Sequence, residues 1–140
     1  MGTLRVSLAN QMGEIRRVNV AVGDFLSEEG VPERTVHHVR LVIEELVSNV
    51  VRYAFDDPGP HRIEVDVRTG VHHVAVTVED SGRPFNPNDA PPPPPVAEHL
   101  EERRFGGLGI FLVKKLTSEL VYSRENDRNR VRAIIARASR

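Results

Sequence analysis

Three short groups of residues have types and spacings that could do chemistry. Glu45 and Asn49 lie four residues apart, so on a helix they share one face. A carboxylate and an amide on that face present hard oxygens, which suit a metal ion and its waters. Read alone, the pair is more simply part of a solvated helix face. Asp80 stands just ahead of Ser81, Gly82, Pro84 and Phe85. Its ionised carboxylate is an acceptor only, a match for an amino group such as that of adenine. Gly82 would let backbone approach a flat ligand with no Cβ in the way. Alone, Asp80-Ser81-Gly82 is also an ordinary turn. The third group is Gly106-Gly107-Leu108-Gly109. Backbone N–H groups at a helix start, clear of side chains, cradle phosphate. Neither a Gly-Lys-Ser/Thr ending nor a G-x-G-x-x-G pattern is present, and a glycine-rich hinge is the plain alternative. Arg103 and Arg104 sit beside it, as solvated charges or as a phosphate contact.

Other chemistry is poorly supported. His37-His38 and His72-His73 are adjacent pairs, whose members point in different directions on a helix or strand, which disfavours shared metal ligation. Cysteine is absent, which removes disulfides, thiolate catalysis and Cys-zinc sites. The signatures of eukaryotic-type kinases and serine hydrolases are missing.

These groups must be positioned by regular elements. Leu4, Val6 and Leu8 alternate as a strand. Ile15, Val18, Val22, Phe25 and Leu26 recur at helical spacing, and Gly30 with Pro32 ends that helix. A second helix runs from Pro32 to about Phe55, with Val36, Val39, Ile43, Leu46 and Val50 as its core stripe. The Asp56, Asp57, Pro58, Gly59 and Pro60 run stops it. Ile63, Val65 and Val67 form a strand, and Val74, Val76 and Val78 its return. Residues 81–105 show neither period, and prolines 91–95 forbid helix and ladder alike. A stretch of that length reads as a functional lid or a disordered segment. Ile110, Val113, Leu116 and Leu120 mark a third helix, and two strands follow, near Val121–Arg124 and Val131–Ala136, across a polar turn from Glu125 to Asn129. The order β-α-α-β-β-α-β-β predicts an α+β domain, its helices layered on one face of a mostly antiparallel sheet.

At 140 residues the chain is expected to be one domain, 1–140. A formal net charge of -1 gives no footprint for nucleic acid or an anionic membrane. No apolar run approaches a membrane span, and no leader pattern opens the chain, so a cytoplasmic location is expected.

Taken in order, the three groups resemble one family. Glu45-Leu46-Val47-Ser48-Asn49 resembles the N box of the histidine-kinase/gyrase-like (GHKL, Bergerat-fold) ATPases. Asp80-Ser81-Gly82-Arg83-Pro84-Phe85 looks like their first glycine box, and Gly106-Gly107-Leu108-Gly109-Ile110-Phe111 like the second. The D-x-G-x-P-F form is most similar to the anti-sigma-factor serine/threonine kinases of partner-switching systems. The resemblance implies a two-layer α/β sandwich, a mixed, mostly antiparallel sheet with three helices on one face, and an ATP lid at 81–105. It makes ATP and Mg²⁺ the cofactors, Asn49 the Mg²⁺ ligand and Glu45 the general base. Asp80 would take the adenine amino group, Gly82 would pass close to the base, and Phe85 would wall the pocket. Gly106, Gly107, Leu108 and Gly109 would hold phosphates. The implied partners are an anti-anti-sigma (STAS-domain) protein phosphorylated on serine, a sigma factor, and a second copy of the chain. A nucleotide-dependent binding module without phosphotransfer fits the same boxes. A histidine-kinase catalytic domain would need a phosphoacceptor helix pair, and the gyrase and chaperone branches further domains. Two departures stand out. Tyr53 occupies a position where many relatives have histidine. Val131-Arg132 offers no threonine near the adenine, leaving that role to a water or Ser81.

Overall fold

In a computed structural model, the chain is described over residues 1–57, 59–89 and 108–138. It opens with strand β1 (Thr3–Ala9), a single 3-10 turn (Met12–Glu14), helix α1 (Ile15–Glu28) and helix α2 (Glu33–Tyr53). Strands β2 (Arg62–Thr69) and β3 (His73–Asp80) form a hairpin, followed by a short 3-10 turn (Pro87–Asp89). Helix α3 (Leu108–Leu116) and the hairpin of β4 (Glu119–Glu125) and β5 (Arg128–Ala136) complete it. The sheet order is β1-β2-β3-β5-β4.

All four pairings are antiparallel, a narrower outcome than the mixed sheet expected. Alternation decides which face is covered. Val65, Val67, Val74, Val76, Val131 and Ala133 are buried, whereas Glu64, Arg68 and Arg132, out of phase with them, are exposed. The three described helices lie on the apolar face. Val18, Val22 and Leu26 of α1, Val39, Ile43 and Val47 of α2, and Val113 of α3 close one core with it. Burial of a Val or Leu side chain contributes about 1.5–3 kcal/mol each, so this face dictates the strand register.

The register carries one row across the whole sheet: Leu8, Ile63, Asp80, Asn129 and Arg124 are successive cross-strand partners. Along that row the inward-facing residues change from apolar to polar. The row beneath it, Val6, Val65, Val78, Val131 and Tyr122, is apolar but for one hydroxyl.

Two boundaries differ from the sequence reading. Leu120 belongs to β4, not to the third helix. Thr117 Oγ1 bonds back to the Val113 carbonyl at 2.8 Å, and the Ser118 N–H then donates to Ile134 O at 2.8 Å, starting the ladder. The polar turn is only Asn126 and Asp127, both at positive φ (52° and 60°), as a two-residue hairpin turn of the tighter mirror-image type requires. Asn129 therefore sits inside β5.

Candidate nucleotide site

Helix α2 places Glu45 and Asn49 one turn apart, and they open onto different cavities. Glu45 lines a groove of about 370 Å³ between α1 and α2, with Met12, Arg16, Arg40, Glu44 and Ser48. Asn49 lines a second cavity on the sheet side, with Val50, Val78, Asp80, Phe85 and Pro87. That cavity measures only about 10 Å³, room for about one water molecule.

Asn49 is 6% exposed, and its Nδ2 has no hydrogen-bond partner. Leaving a buried amide unpaired costs about 1–3 kcal/mol, so the group is poised for something outside the chain. Glu45 is half-buried, and burial pushes its carboxyl above the usual range, helped by Glu44 and opposed by Arg52. A Cβ added at Gly109, near the start of α3, would overlap the Glu45 carboxylate. Gly109 thus sets the start of α3 directly against the Glu45 side chain.

Asp80 ends β3 at 3% exposure. Its Oδ1 accepts from the Gly82 N–H at 2.8 Å and from Asn129 Nδ2 at 3.0 Å. Burial raises its pKa, against the pull of those two hydrogen bonds and of Arg124 and Arg128. The loop after Asp80 is bound to the end of α2. The Arg83 N–H donates to the Ala54 carbonyl at 2.8 Å, Arg83 Nε donates to the Tyr53 carbonyl, and the Arg83 guanidinium pairs with Asp56 at 3.1 Å. A Cβ at Gly82 would overlap the Ala54 carbonyl oxygen, so only glycine allows this approach. Tyr53 stacks on Phe85 at 5.6 Å between ring centroids. Further on, Lys114 Nζ donates to the Asn88 carbonyl and Asn88 Nδ2 to Leu120 O, both at 3.3 Å.

Asn49, Asp80 and Phe85 thus share one cavity, with Gly82 bonded to Asp80, while Gly109 lies against Glu45. Leu108 is the first residue of α3. Gly106, Gly107, Arg103, Arg104 and the lid beyond Asp89 lie outside the described residues. In the described part of 81–105, Gly82 and Pro87 are buried and Ser81, Arg83, Pro84, Asn88 and Asp89 are exposed.

Sequence reasoning missed Asn129, which is 2% exposed beside Asp80; Ser81 is exposed. The cross-strand partner of Asp80 on the last strand is Asn129. Its signal was available: Asn129 keeps the period-2 phase of Val131, Ala133 and Ile135.

Among the described residues no three His, Cys, Asp or Glu side chains cluster to hold a metal ion. Mg²⁺ is typically held by one or two protein oxygens plus phosphates and water. The orphaned Asn49 amide fits such a role, since its oxygen and nitrogen are interchangeable by a flip.

The chain belongs to the histidine kinase-like ATPase domain family, whose sequence profile matches residues 7–135. It is 29% identical over 89 residues to the serine/threonine-protein kinase BtrW of Bordetella bronchiseptica, covering 64% of this chain and 62% of that protein. It is 25% identical over 104 residues to the serine-protein kinase RsbW of Listeria innocua, covering 72% of this chain and 66% of that protein. The chain thus spans just under two thirds of the length of these relatives. Among solved structures, the RsbU and RsbW domains of Rv1364c from Mycobacterium tuberculosis share its fold. The TM-score is 0.67 at 16% identity, covering 100% of this chain and 34% of that one. A blue-light activated histidine kinase of Erythrobacter litoralis matches with a TM-score of 0.53 at 25% identity, covering 75% of this chain and 31% of that one. Among the described residues no helix is long and apolar enough to cross a membrane.

Proposed function

We propose that this chain is an ATP-dependent protein serine kinase of the partner-switching type. Its substrate would be a serine on an anti-anti-sigma (STAS-domain) partner. A sigma factor would be the second partner, and the chain would act in the cytoplasm, as a homodimer.

The observation that carries the reading is the division of labour on α2. Asn49 opens toward the Asp80 cavity, while Glu45 opens into the α1–α2 groove. A base that faces away from the nucleobase, along a groove open to another chain, suits an acceptor hydroxyl arriving from outside. The names of the relatives support the same activity.

In this reading the Asp80 carboxylate accepts from the adenine amino group, and Phe85 walls the base. Asn49 holds Mg²⁺, and the backbone of Gly106 to Gly109 holds phosphates. When bound, Mg²⁺ neutralises charge on the triphosphate. The serine oxygen attacks the γ-phosphorus, the bond from that phosphorus to the β–γ bridging oxygen breaks, and ADP leaves. The hydroxyl proton passes to Glu45, whose raised pKa makes it a better base than an exposed carboxylate.

The test incubates the chain with labelled Mg-ATP and a panel of STAS-domain proteins, reading serine phosphorylation by mass spectrometry. Transfer to a partner serine is expected. ATP binding with no transfer across the panel would overturn the kinase in favour of a nucleotide-gated binding module.

A further inference from the structure

We propose that Asn129 is a positioning residue which, oriented by Arg124, fixes the hydrogen-bond polarity that Asp80 presents to the nucleobase. The inference rests on the nucleotide-site reading above and adds two residues to it.

Asn129 is the cross-strand partner of Asp80 and is almost fully buried. Its Oδ1 accepts from Tyr122 Oη at 2.6 Å, from Arg124 Nη1 at 2.9 Å and from the Phe85 N–H at 3.4 Å. Its Nδ2 donates to Asp80 Oδ1 at 3.0 Å and to the Arg83 carbonyl at 2.8 Å. A guanidinium has donors only, so Arg124 leaves the amide one orientation, with oxygen toward β4 and nitrogen toward Asp80. The same Nη1 donates to the Gly82 carbonyl at 2.9 Å, which anchors the guanidinium from a second side.

The consequence passes to Asp80. Facing an N–H from Asn129 and another from Gly82, its Oδ1 must be an acceptor. These two hydrogen bonds keep a proton off Oδ1 and favour the ionised form, against the burial that raises the carboxyl's pKa. Both bonds fall on Oδ1, and Oδ2 is the oxygen assigned to a donor from the ligand. Arg124, Asn129 and Asp80 form a relay along the polar row, and its output is a preference for a base bearing an amino group.

The experiment measures affinities for Mg-ATP and for Mg-purine riboside triphosphate, which lacks the 6-amino group, by titration. The wild-type chain is expected to prefer ATP by about ten- to a hundredfold, the worth of one charge-assisted hydrogen bond. In Asn129→Ala and in the isosteric Asn129→Asp the preference should shrink to about threefold or less, with purine riboside triphosphate affinity retained. Where neither Asn129 variant folds, Arg124→Ala, on the partly exposed edge strand β4, should shrink the preference in the same way. Equal losses for both nucleotides, or an undiminished preference in a folded variant, overturn the positioning role while leaving the nucleotide site standing. A wild-type chain that binds neither nucleotide overturns the underlying reading and the relay with it.

Discussion

Gly82 lies so close to Ala54 that the backbone of the loop after β3 touches the last turn of α2. The contact is sealed by the Arg83 N–H on the Ala54 carbonyl at 2.8 Å. Because the obstacle is backbone and not the end of a flexible side chain, a methyl group there has nowhere to go. Gly82→Ala should destabilise the domain by about 1–3 kcal/mol, the usual cost of overpacking. It should also weaken ATP binding, since the shift moves Phe85. Thermal unfolding and ATP titration on one preparation check both effects; an unchanged melting temperature would mean the loop docks elsewhere.

Asp80→Asn should separate stability from binding. The folded pKa of Asp80 is raised by burial. Its favourable contribution to folding is therefore complete below the unfolded value near pH 4 and is lost as pH rises through the folded value. At pH 7 the ionised group is a liability that the amide lacks, so the variant should melt no lower than wild type. Its ATP affinity should nevertheless fall about ten- to a hundredfold, and more than its GTP affinity, because guanine has a carbonyl at that position. A drop in melting temperature with equal losses for the two nucleotides would make Asp80 purely structural.

Glu45→Gln should leave nucleotide affinity intact and slow phosphoryl transfer by about 10²- to 10⁴-fold. Since only the ionised carboxylate is a base, wild-type transfer should rise with pH through the raised pKa of Glu45. The midpoint should lie above the ordinary glutamate value of about 4.3. That limb should vanish in Glu45→Gln. Rate-against-pH profiles at saturating ATP decide the matter; a variant with wild-type rates would remove Glu45 from the chemistry.

Asn49→Ala removes an amide whose Nδ2 has no partner. The variant should therefore melt no lower than wild type, since an unpaired buried nitrogen that costs about 1–3 kcal/mol is removed with it. What should disappear is the dependence of nucleotide affinity on Mg²⁺. Calorimetric titrations with and without the ion measure this; a Mg²⁺ response equal to wild type would place the ion on other groups.

Much of this architecture is legible in the residues. Val65, Val67, Val76 and Val78 alternate without interruption, and burial of one face gives that alternation a single solution. The long α2 stripe is equally plain. Leu120 misleads because its spacing from Leu116 suits a helix, while Thr117 and Ser118 turn their hydrogen bonds toward β5 instead. Asn129 was hidden for a related reason. It follows Asn126 and Asp127 in a polar run and reads as turn, yet a two-residue hairpin needs only those two. The split between Glu45 and Asn49 was beyond reach, since helical spacing places both on one face. Only the packing of α1 on one flank and the Phe85–Pro87 segment on the other sends them into different cavities.

The narrow cavity beneath Phe85 and Pro87 has a kinetic consequence. At about 10 Å³ as the described residues line it, the cavity is far below the 300–1,000 Å³ typical of small-molecule sites, so a purine seated there would require those side chains to withdraw. The apparent dissociation constant is then the intrinsic one divided by the open fraction. In stopped-flow mixing, the observed association rate should level off at high nucleotide concentration instead of climbing in proportion to it. The plateau reads out how quickly this segment moves aside.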